Sequence, residues 1–116
     1  MADNWYIGNA HDDSETNRGW ILGHFMDSAA GGVRRTEDLE VKWGIHPAGQ
    51  QREWTTGSEH TCLVILVEGK FYVDMSVGVA ALTRQGDYVV YGPGIDHRWR
   101  AETDSIVVSV RWPSTS

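Results

Sequence analysis

Residues 39–46 alternate between apolar and polar side chains at every step. A strict period of two is typical of a β-strand that buries one face, because successive side chains of a strand point to opposite sides. We therefore predict a half-buried strand here. The apolar positions are Leu39, Val41, Trp43 and Ile45, and the polar positions are Glu40, Lys42, Gly44 and His46.

Short apolar blocks bounded by glycine recur along the rest of the chain, at intervals of roughly ten residues. The block 88–91 is aromatic and β-branched and lies between Gly86 and Gly92, and 105–112 is a longer block of the same kind. Because no segment shows a helical period, the pattern predicts an all-β barrel or sandwich. Further strands are predicted over 20–26, 63–67, 71–75 and 77–82.

A tight turn follows the block 88–91. Pro93 fixes its own φ angle and Gly94 permits a positive one, so we expect the chain to reverse within a few residues. His97 and Trp99 come directly after the turn and are two residues apart. In a strand they would point to the same face, which predicts a histidine beside an aromatic wall.

The size and charge of the chain exclude several classes of protein. Its 116 residues suffice for one domain, which must carry the site itself. The net charge of -6 and the lack of a Lys/Arg block argue against nucleic acid as a partner. The chain shows no bilayer-spanning apolar run and no signal-peptide pattern, and its single cysteine, Cys62, agrees with a reducing compartment. We therefore expect a cytoplasmic protein with no membrane partner.

The chain divides into an arm, a barrel and a tail. Residues 1–19 are polar and show no period, so they are interpreted as a surface arm. The barrel covers 20–113, and the tail covers 114–116. Six tryptophans are many for such a chain, and we expect a homodimer because Trp5, Trp20 and Trp112 are too much aromatic surface for a monomer.

The segment 86–101 resembles the second motif of the cupin superfamily, G(X)5PXG(X)2H(X)3N. Gly86, Gly94 and His97 match this motif, while a glycine stands at the proline and an alanine at the asparagine. The run 63–71 is similar to the strand and Glu-Gly turn that close the first cupin motif. The resemblance covers about residues 39 to 112 and implies an all-β, single-domain cupin, the double-stranded β-helix or jelly-roll barrel.

The first cupin motif, G(X)5HXH(X)3,4E(X)6G, is degenerate here. Counting back from Gly69 places Cys62 at the glutamate, and no histidine stands at 55–58 where the motif has two. The usual metal site of the family is therefore absent as written, and no cofactor is favoured. If a divalent metal such as iron, zinc or nickel binds, the resemblance leaves His60, Cys62 and His97 as its ligands.

In a cupin the site lies inside the barrel mouth, so the resemblance makes inward-facing polar and aromatic residues the candidates. It implies a small-molecule ligand and leaves three functions open. The first is a non-redox isomerase, epimerase or cyclase that transfers protons through His97 on a small ring-containing or acidic metabolite. The second is a metal-dependent oxygenase or lyase, and the third is a ligand-binding module without chemistry. The predicted catalytic residues are His97 and His60, and the predicted ligand-binding residues are Arg52, Trp54, His46, Trp99 and Cys62.

Overall fold

The computed structural model describes residues 4–26 and 32–115. Residues 1–3 of the predicted arm and residue 116 of the tail lie outside the described residues. Eight strands account for most of the regular structure, with one short turn each of α- and 3-10 helix. The elements are α1 (Ala10–Asp13), β1 (Trp20–Leu22), the 3-10 turn Gly32–Arg34, β2 (Glu40–His46), β3 (Thr61–Glu68), β4 (Phe71–Met75), β5 (Gly78–Leu82), β6 (Tyr88–Tyr91), β7 (His97–Ala101) and β8 (Ser105–Trp112).

The strands form two antiparallel sheets. One has five strands in the order β1-β2-β8-β3-β6, and the other has three in the order β5-β4-β7. Residues 49–55 extend the smaller sheet, because Gly49 N donates to Ala101 O (2.8 Å) and Thr55 N donates to His97 O (2.7 Å). The all-β fold class predicted from the alternation is confirmed, and the crossing order of the strands is consistent with a jelly roll.

The core lies between the two sheets. Cys62, Val64 and Leu66 of β3 are buried at alternate positions, and so are Phe71 and Val73 at the start of β4. These apolar side chains pack against one another between the sheets. Their burial is the main source of stability for a barrel of this size. The buried cluster comprises Cys62, Val64, Leu66, Phe71, Val73, Leu82, Ala101 and Val107.

The polar face of β2, and not its apolar face, points toward this core. Gly44 lies opposite Val107 of the core, and residues 40, 42 and 46 share its face because strand side chains alternate. Glu40 is 1% exposed, whereas Ile45 on the apolar face is 46% exposed. The predicted strand is therefore present, with its charged residues inside the barrel.

Several boundaries differ from the sequence-based prediction: β3 covers Thr61–Glu68 where 63–67 was predicted, and β5 begins at Gly78 where 77 was predicted. The strand expected over 20–26 ends at Leu22, because Gly23 leaves the ladder and instead bridges to Arg35. The end of the chain is held in place: Ser114 is 0% exposed, and its hydroxyl contacts His24, whose backbone N lies 2.9 Å away. The predicted strands 88–91 and 105–112 agree with β6 and β8 at both ends.

Within the described residues, no helix is long and apolar enough to cross a membrane.

Candidate functional site

A buried ion pair closes one end of the barrel interior. Arg111 Nε donates to Glu40 Oε2 at 2.9 Å, and Arg111 Nη2 donates to the same oxygen. The pair forms because residues 40 and 111 are direct neighbours across β2 and β8. Since Glu40 is almost fully buried, its carboxylate depends on this guanidinium for its charge partner.

Trp20 covers the ion pair from inside the barrel. It pairs with Lys42 in the ladder between β1 and β2, so both side chains share the inner face. The centre of its ring lies 4.7 Å from Arg111 Cζ and 5.5 Å from Lys42 Nζ. One indole thus packs beneath two cations, an arrangement that the electron-rich face of the ring stabilises.

Lys42 carries a positive charge in a partly dry position. Burial lowers the pKa of its ammonium, and the positive charges of Arg52 and Arg111 lower that pKa further. Arg52 is held on the opposite sheet, where its backbone N donates to Trp99 O at 2.9 Å. The interior therefore brings together three cationic side chains from β2, β8 and the segment beside β7.

His46 and Trp99 form an aromatic wall beside Lys42. Their ring centres are 4.3 Å apart, and His46 Nδ1 lies 2.7 Å from Gln50 Oε1. The ring lies over Gly44, where a Cβ atom would be 2.6 Å from His46 Nε2. Burial lowers the pKa of His46, so its imidazole is neutral at pH 7. A cavity of about 370 Å³ is lined here by Ser14, Glu15, Arg18, Gly19, Lys42, Trp43, Gly44, Ile45, His46, Gln50 and Trp99.

His97 lies on the same face of β7 as Trp99, as predicted, and contacts Tyr91. The two ring centres are 4.7 Å apart, and His97 Nδ1 lies 3.0 Å from Ile95 O. Gly94 has a φ of 82°, which confirms the glycine-dependent turn expected before this histidine. Tyr91 lies opposite Cys62 in the ladder, and burial raises the pKa of both its phenol and the Cys62 thiol.

Similar solved structures share this arrangement of strands. An RmlC-like cupin from Shewanella frigidimarina is 22% identical, with a TM-score of 0.62 over 69% of this chain and 70% of its own. KdgF from a Halomonas species is 25% identical, with a TM-score of 0.63 over 72% of this chain and 77% of its own. This chain therefore has the cupin fold.

The cupin fold also occurs in larger proteins. Salicylate 1,2-dioxygenase from Pseudoaminobacter salicylatoxidans is 18% identical and matches 75% of this chain, with a TM-score of 0.63. This chain spans only 23% of that protein. No family model matches the sequence, and no curated protein matches it. The comparisons therefore establish the fold and leave the ligand to be argued from the residues.

Trp54, predicted to line the barrel mouth, lies outside it. It is 53% exposed, and Arg98 stacks on its ring with Cζ 5.4 Å from the centre. The bridges of this segment to β7 explain the position. Gln51 pairs with Arg100 and Thr55 pairs with His97. Four residues of advance in the segment 51–55 therefore lie opposite three residues of advance in β7. The extra residue reverses the alternation, which turns Arg52 toward the barrel mouth, where it remains exposed, and Trp54 away from it.

The residues predicted as alternative metal ligands do not fit a metal site. Within the described ranges, no three His, Cys, Asp or Glu side chains are grouped so that they could hold an ion. His60 Nδ1 lies 3.2 Å from Ser58 Oγ, and its Nε2 is buried without a hydrogen-bond partner among those residues. Because burial raises the pKa of Cys62, its sulfur remains a thiol near neutral pH, and a thiol is a poor ligand.

The interior also contains residues that the sequence patterns did not indicate as site residues. They are Lys42, Glu40, Arg111, Tyr91 and Trp20. The alternation in 39–46 did contain a signal, because a strand face with four polar positions does not contribute to a hydrophobic core. Such a face is either solvated or lines a site. Only the pairing of β2 with β8 distinguishes a solvated face from one that lines a site, because the apolar face of β8 points away from the core.

A second cavity lies outside the barrel, where the arm crosses β1 and β2. It measures about 410 Å³, and its walls are mostly apolar. It contains none of the predicted site residues. Its lining residues are Tyr6, Gly8, Ala10, Asp13, Ile21, Leu22, Val33, Arg34 and Val41.

Proposed function

We propose that this cupin binds a small ring-containing or acidic metabolite in the barrel interior and transfers protons on it without redox chemistry. Isomerases, epimerases and cyclases carry out reactions of this kind. The observation that supports the proposal is that His97 and His46 each have Nδ1 engaged in a hydrogen bond. A backbone carbonyl only accepts, so His97 Nδ1 is the donor in its hydrogen bond and Nε2 is the ring nitrogen assigned to the ligand.

In the proposed reaction a neutral imidazole accepts a proton at Nε2 from a carbon or hydroxyl of the ligand. The bond to that proton breaks, and its electron pair stays on the ligand. The imidazolium then returns a proton to a different atom or to the opposite face, so no oxidant is consumed. His97 is assigned the central role, and His46 is assigned the second role because it lines the cavity beside Lys42. His60, predicted as the second catalytic residue, remains a candidate without an assigned step.

Hydrogen exchange tests the chemistry without knowledge of the product. The protein is incubated in D2O with a panel of small cyclic acids and sugars, and deuterium uptake at carbon is followed by NMR. We expect one chemical class to exchange, and both His97→Ala and His46→Ala to slow the exchange by about 100-fold or more. His11→Ala is the matched control, because His11 lies exposed on α1. Exchange that survives in both site variants would overturn the assignment.

Two other functions share parts of this geometry. A non-catalytic binding module would use the same interior, and it is favoured if ligands bind but none exchanges. A metal-dependent oxygenase or lyase would need a ligand set that His60, Cys62 and His97 do not form here. We expect elemental analysis of the purified protein to find less than one equivalent of iron, zinc or nickel. A tightly held equivalent would favour the metal-dependent function.

We also propose that the protein is a homodimer. The outward side chains of β2, β8, β3 and β6 form a continuous apolar face, whereas a solvated antiparallel sheet shows polar residues there. Four strands at about 4.8 Å spacing and seven residues at about 3.3 Å make a face of roughly 19 by 23 Å, about half of the roughly 800 Å² that each partner buries in a standard interface. Its residues are Val41, Trp43, Ile45, Leu63, Ile65, Tyr88, Val90, Ile106, Val108, Val110 and Trp112.

A second copy fits this outer face better than other partners. Apart from Glu68, which pairs with Ile106 at its edge, the face carries no charged side chain among the described residues, so it offers little to a charged partner, and a two-fold axis would set it against itself. Of the tryptophans predicted at the interface, Trp112 lies on the face, Trp5 is 66% exposed on the arm, and Trp20 packs inside the barrel. A cytoplasmic location, with neither nucleic acid nor membrane as partner, remains part of the proposal. The unpaired Cys62 and the net charge of -6 support it.

A further inference from the structure

We propose that Lys42 and Arg52, beside the Arg111–Glu40 pair, form an oxyanion clamp for the carboxylate of a small cyclic acid whose ring lies against Trp99. This inference rests on the proposed function, since it names the ligand class of the same interior. The proposed function names a ring-containing or an acidic metabolite. This inference requires a ring and a carboxylate in the same molecule.

The first support is an excess of positive charge inside an acidic protein. The chain carries a net charge of -6, yet Lys42 and Arg111 lie against one indole, and Arg52 is near enough to lower the pKa of Lys42. Arg18 also lines the cavity, against the two carboxylates Glu40 and Glu15. Glu40 directs one oxygen at both Nε and Nη2 of Arg111, so it is committed to that guanidinium. Among residues 4–26 and 32–115, neither Lys42 nor Arg52 forms an ion pair within 4.0 Å. Two positive charges therefore remain for a ligand.

The second support is that Lys42 is held in place before any ligand arrives. Its side chain packs against Gly19, where an added Cβ atom would lie 3.0 Å from Lys42 Cε. The Gly19 carbonyl accepts from the backbone N of Trp43 at 2.7 Å, which fixes the turn to β2. A partly buried cation without a partner is unfavourable, and a bound carboxylate would relieve that cost.

The third support is the position of the aromatic wall relative to the cations. Lys42, His46 and Trp99 line one cavity of about 370 Å³, and Arg52 is hydrogen-bonded to Trp99 through its backbone. This volume lies at the small end of ligand pockets, so it suits a single ring with one or two substituents. A carboxylate at Lys42 and Arg52 would set that ring beside Trp99 and within reach of His46.

Paired probes test the clamp without the natural ligand. Benzoate and benzamide have the same ring and nearly the same shape, and they differ in charge. Isothermal titration calorimetry on the full chain should show benzoate binding at least tenfold tighter than benzamide. Lys42→Met should weaken benzoate binding tenfold or more and leave benzamide unchanged. Lys70→Met is the control, because Lys70 is an exposed lysine in the turn between β3 and β4.

Arg52→Gln provides a second variant, since Arg52 is exposed and its backbone makes the contact to β7. It should also weaken benzoate binding while the melting temperature stays unchanged. Equal affinity for benzoate and benzamide, no binding of either, or full benzoate affinity in both variants would overturn the clamp. Inorganic phosphate that binds while benzoate does not would overturn the carboxylate assignment.

The outcomes separate this inference from the proposed function. If benzoate binds through Lys42 and Arg52 but no acid exchanges deuterium, the clamp stands and the proton-transfer function fails. If exchange occurs only on uncharged molecules and benzoate shows no preference, the function stands and the clamp fails.

Discussion

The two faces of the five-stranded sheet are the reverse of what an isolated barrel would show. The inner face carries Glu40, Lys42, His46 and Arg111, and the outer face is apolar from β2 to β6. Glu40 is 1% exposed and Ile45, on the same strand, is 46% exposed. Burying charge while exposing apolar surface is costly on both sides. The difference supports the two proposals made above, a polar ligand at the inner face and a second copy of the chain at the outer face.

The smaller sheet provides the contrast. Its inner residues Phe71 and Val73 are each 2% exposed, while its outer face carries Asp74 between Arg98 and Arg100. These guanidiniums donate to Asp74 Oδ2 at 2.9 and 3.0 Å, and they hold the pKa of the carboxyl below its usual value, Arg100 most strongly. This sheet follows the ordinary rule of apolar inside and charged outside. Both sheets thus supply core residues, but the five-stranded sheet alone combines inward charges on β2 and β8 with an apolar outer face, among the described residues.

A charge at the centre of the outer face should produce the largest effect. Val108 lies between Trp43 and Ile65 in the ladder, so Val108→Arg would bury an unpaired guanidinium between the two copies. We expect the dimer dissociation constant to rise by about 100- to 1,000-fold, since burying such a charge costs several kcal/mol. Sedimentation velocity over a concentration series measures it. Val79→Arg is the matched control, because Val79 is 62% exposed on the outside of the smaller sheet. An unchanged dimer in Val108→Arg would show that this face is not the interface.

Removing one partner of the inner ion pair should be next in size. Arg111→Met leaves the buried Glu40 carboxylate with only His24 nearby, whose Nδ1 lies 3.9 Å from Oε1, and we expect it to lower the free energy of unfolding by about 3 kcal/mol. Urea denaturation measures this. Arg98→Met, on the outside of the smaller sheet, should cost less than about 1 kcal/mol, because Arg100 still pairs with Asp74. Equal losses in the two variants would contradict the difference drawn between the two sheets.

The turn before β7 decides that His97 falls on the inner face. Gly94 has a φ of 82°, and no atom lies within 4 Å of a Cβ built there. Gly94→Val would therefore act through backbone strain alone, and we expect a loss of about 1 to 3 kcal/mol. His97→Ala leaves the turn intact and should cost about 1 kcal/mol or less. Thermal melts compare the two variants, and the reverse order of stability would make His97 a structural residue.

The smallest effect should be the pH dependence that His46 contributes. Burial lowers its pKa from the ordinary value of 6.5, so the unfolded chain takes up a proton here more readily than the folded one. The stability that comes from keeping this imidazole neutral is therefore fully present above pH 6.5 and is lost as the pH falls toward the lowered pKa. Urea denaturation of the wild type and His46→Gln between about pH 5 and pH 7.5 should show a steeper loss in the wild type. Parallel curves would show that His46 is not desolvated.

Much of the fold could be predicted from local patterns. The bounds of β6 and β8 are visible as aromatic and β-branched blocks between turn residues, and the role of Gly94 follows from its place in the turn. The pairing of His97 and Trp99 on one face also follows from their spacing. These features depend on neighbours within a few residues, which the sequence displays directly.

The interior was harder to predict because its members come from distant parts of the chain. Trp20 was expected at the surface, but its pairing with Lys42 turns it inward beneath Arg111. Trp54 was expected beside Arg52, and the extra residue between Gln51 and Thr55 turns it outward. A change of register by one residue reverses the direction of every side chain that follows, and nothing local marks where it occurs.

By itself, the alternation in residues 39–46 determined that β2 would be a strand with two unlike faces. Only the tertiary structure decided which face is inside. A period of two shows that the two faces differ. It does not show which face points inward, because the alternation is the same for either side of the sheet. The choice was made by Arg111, which lies 71 residues after Glu40 and offers that carboxylate a partner only within the barrel.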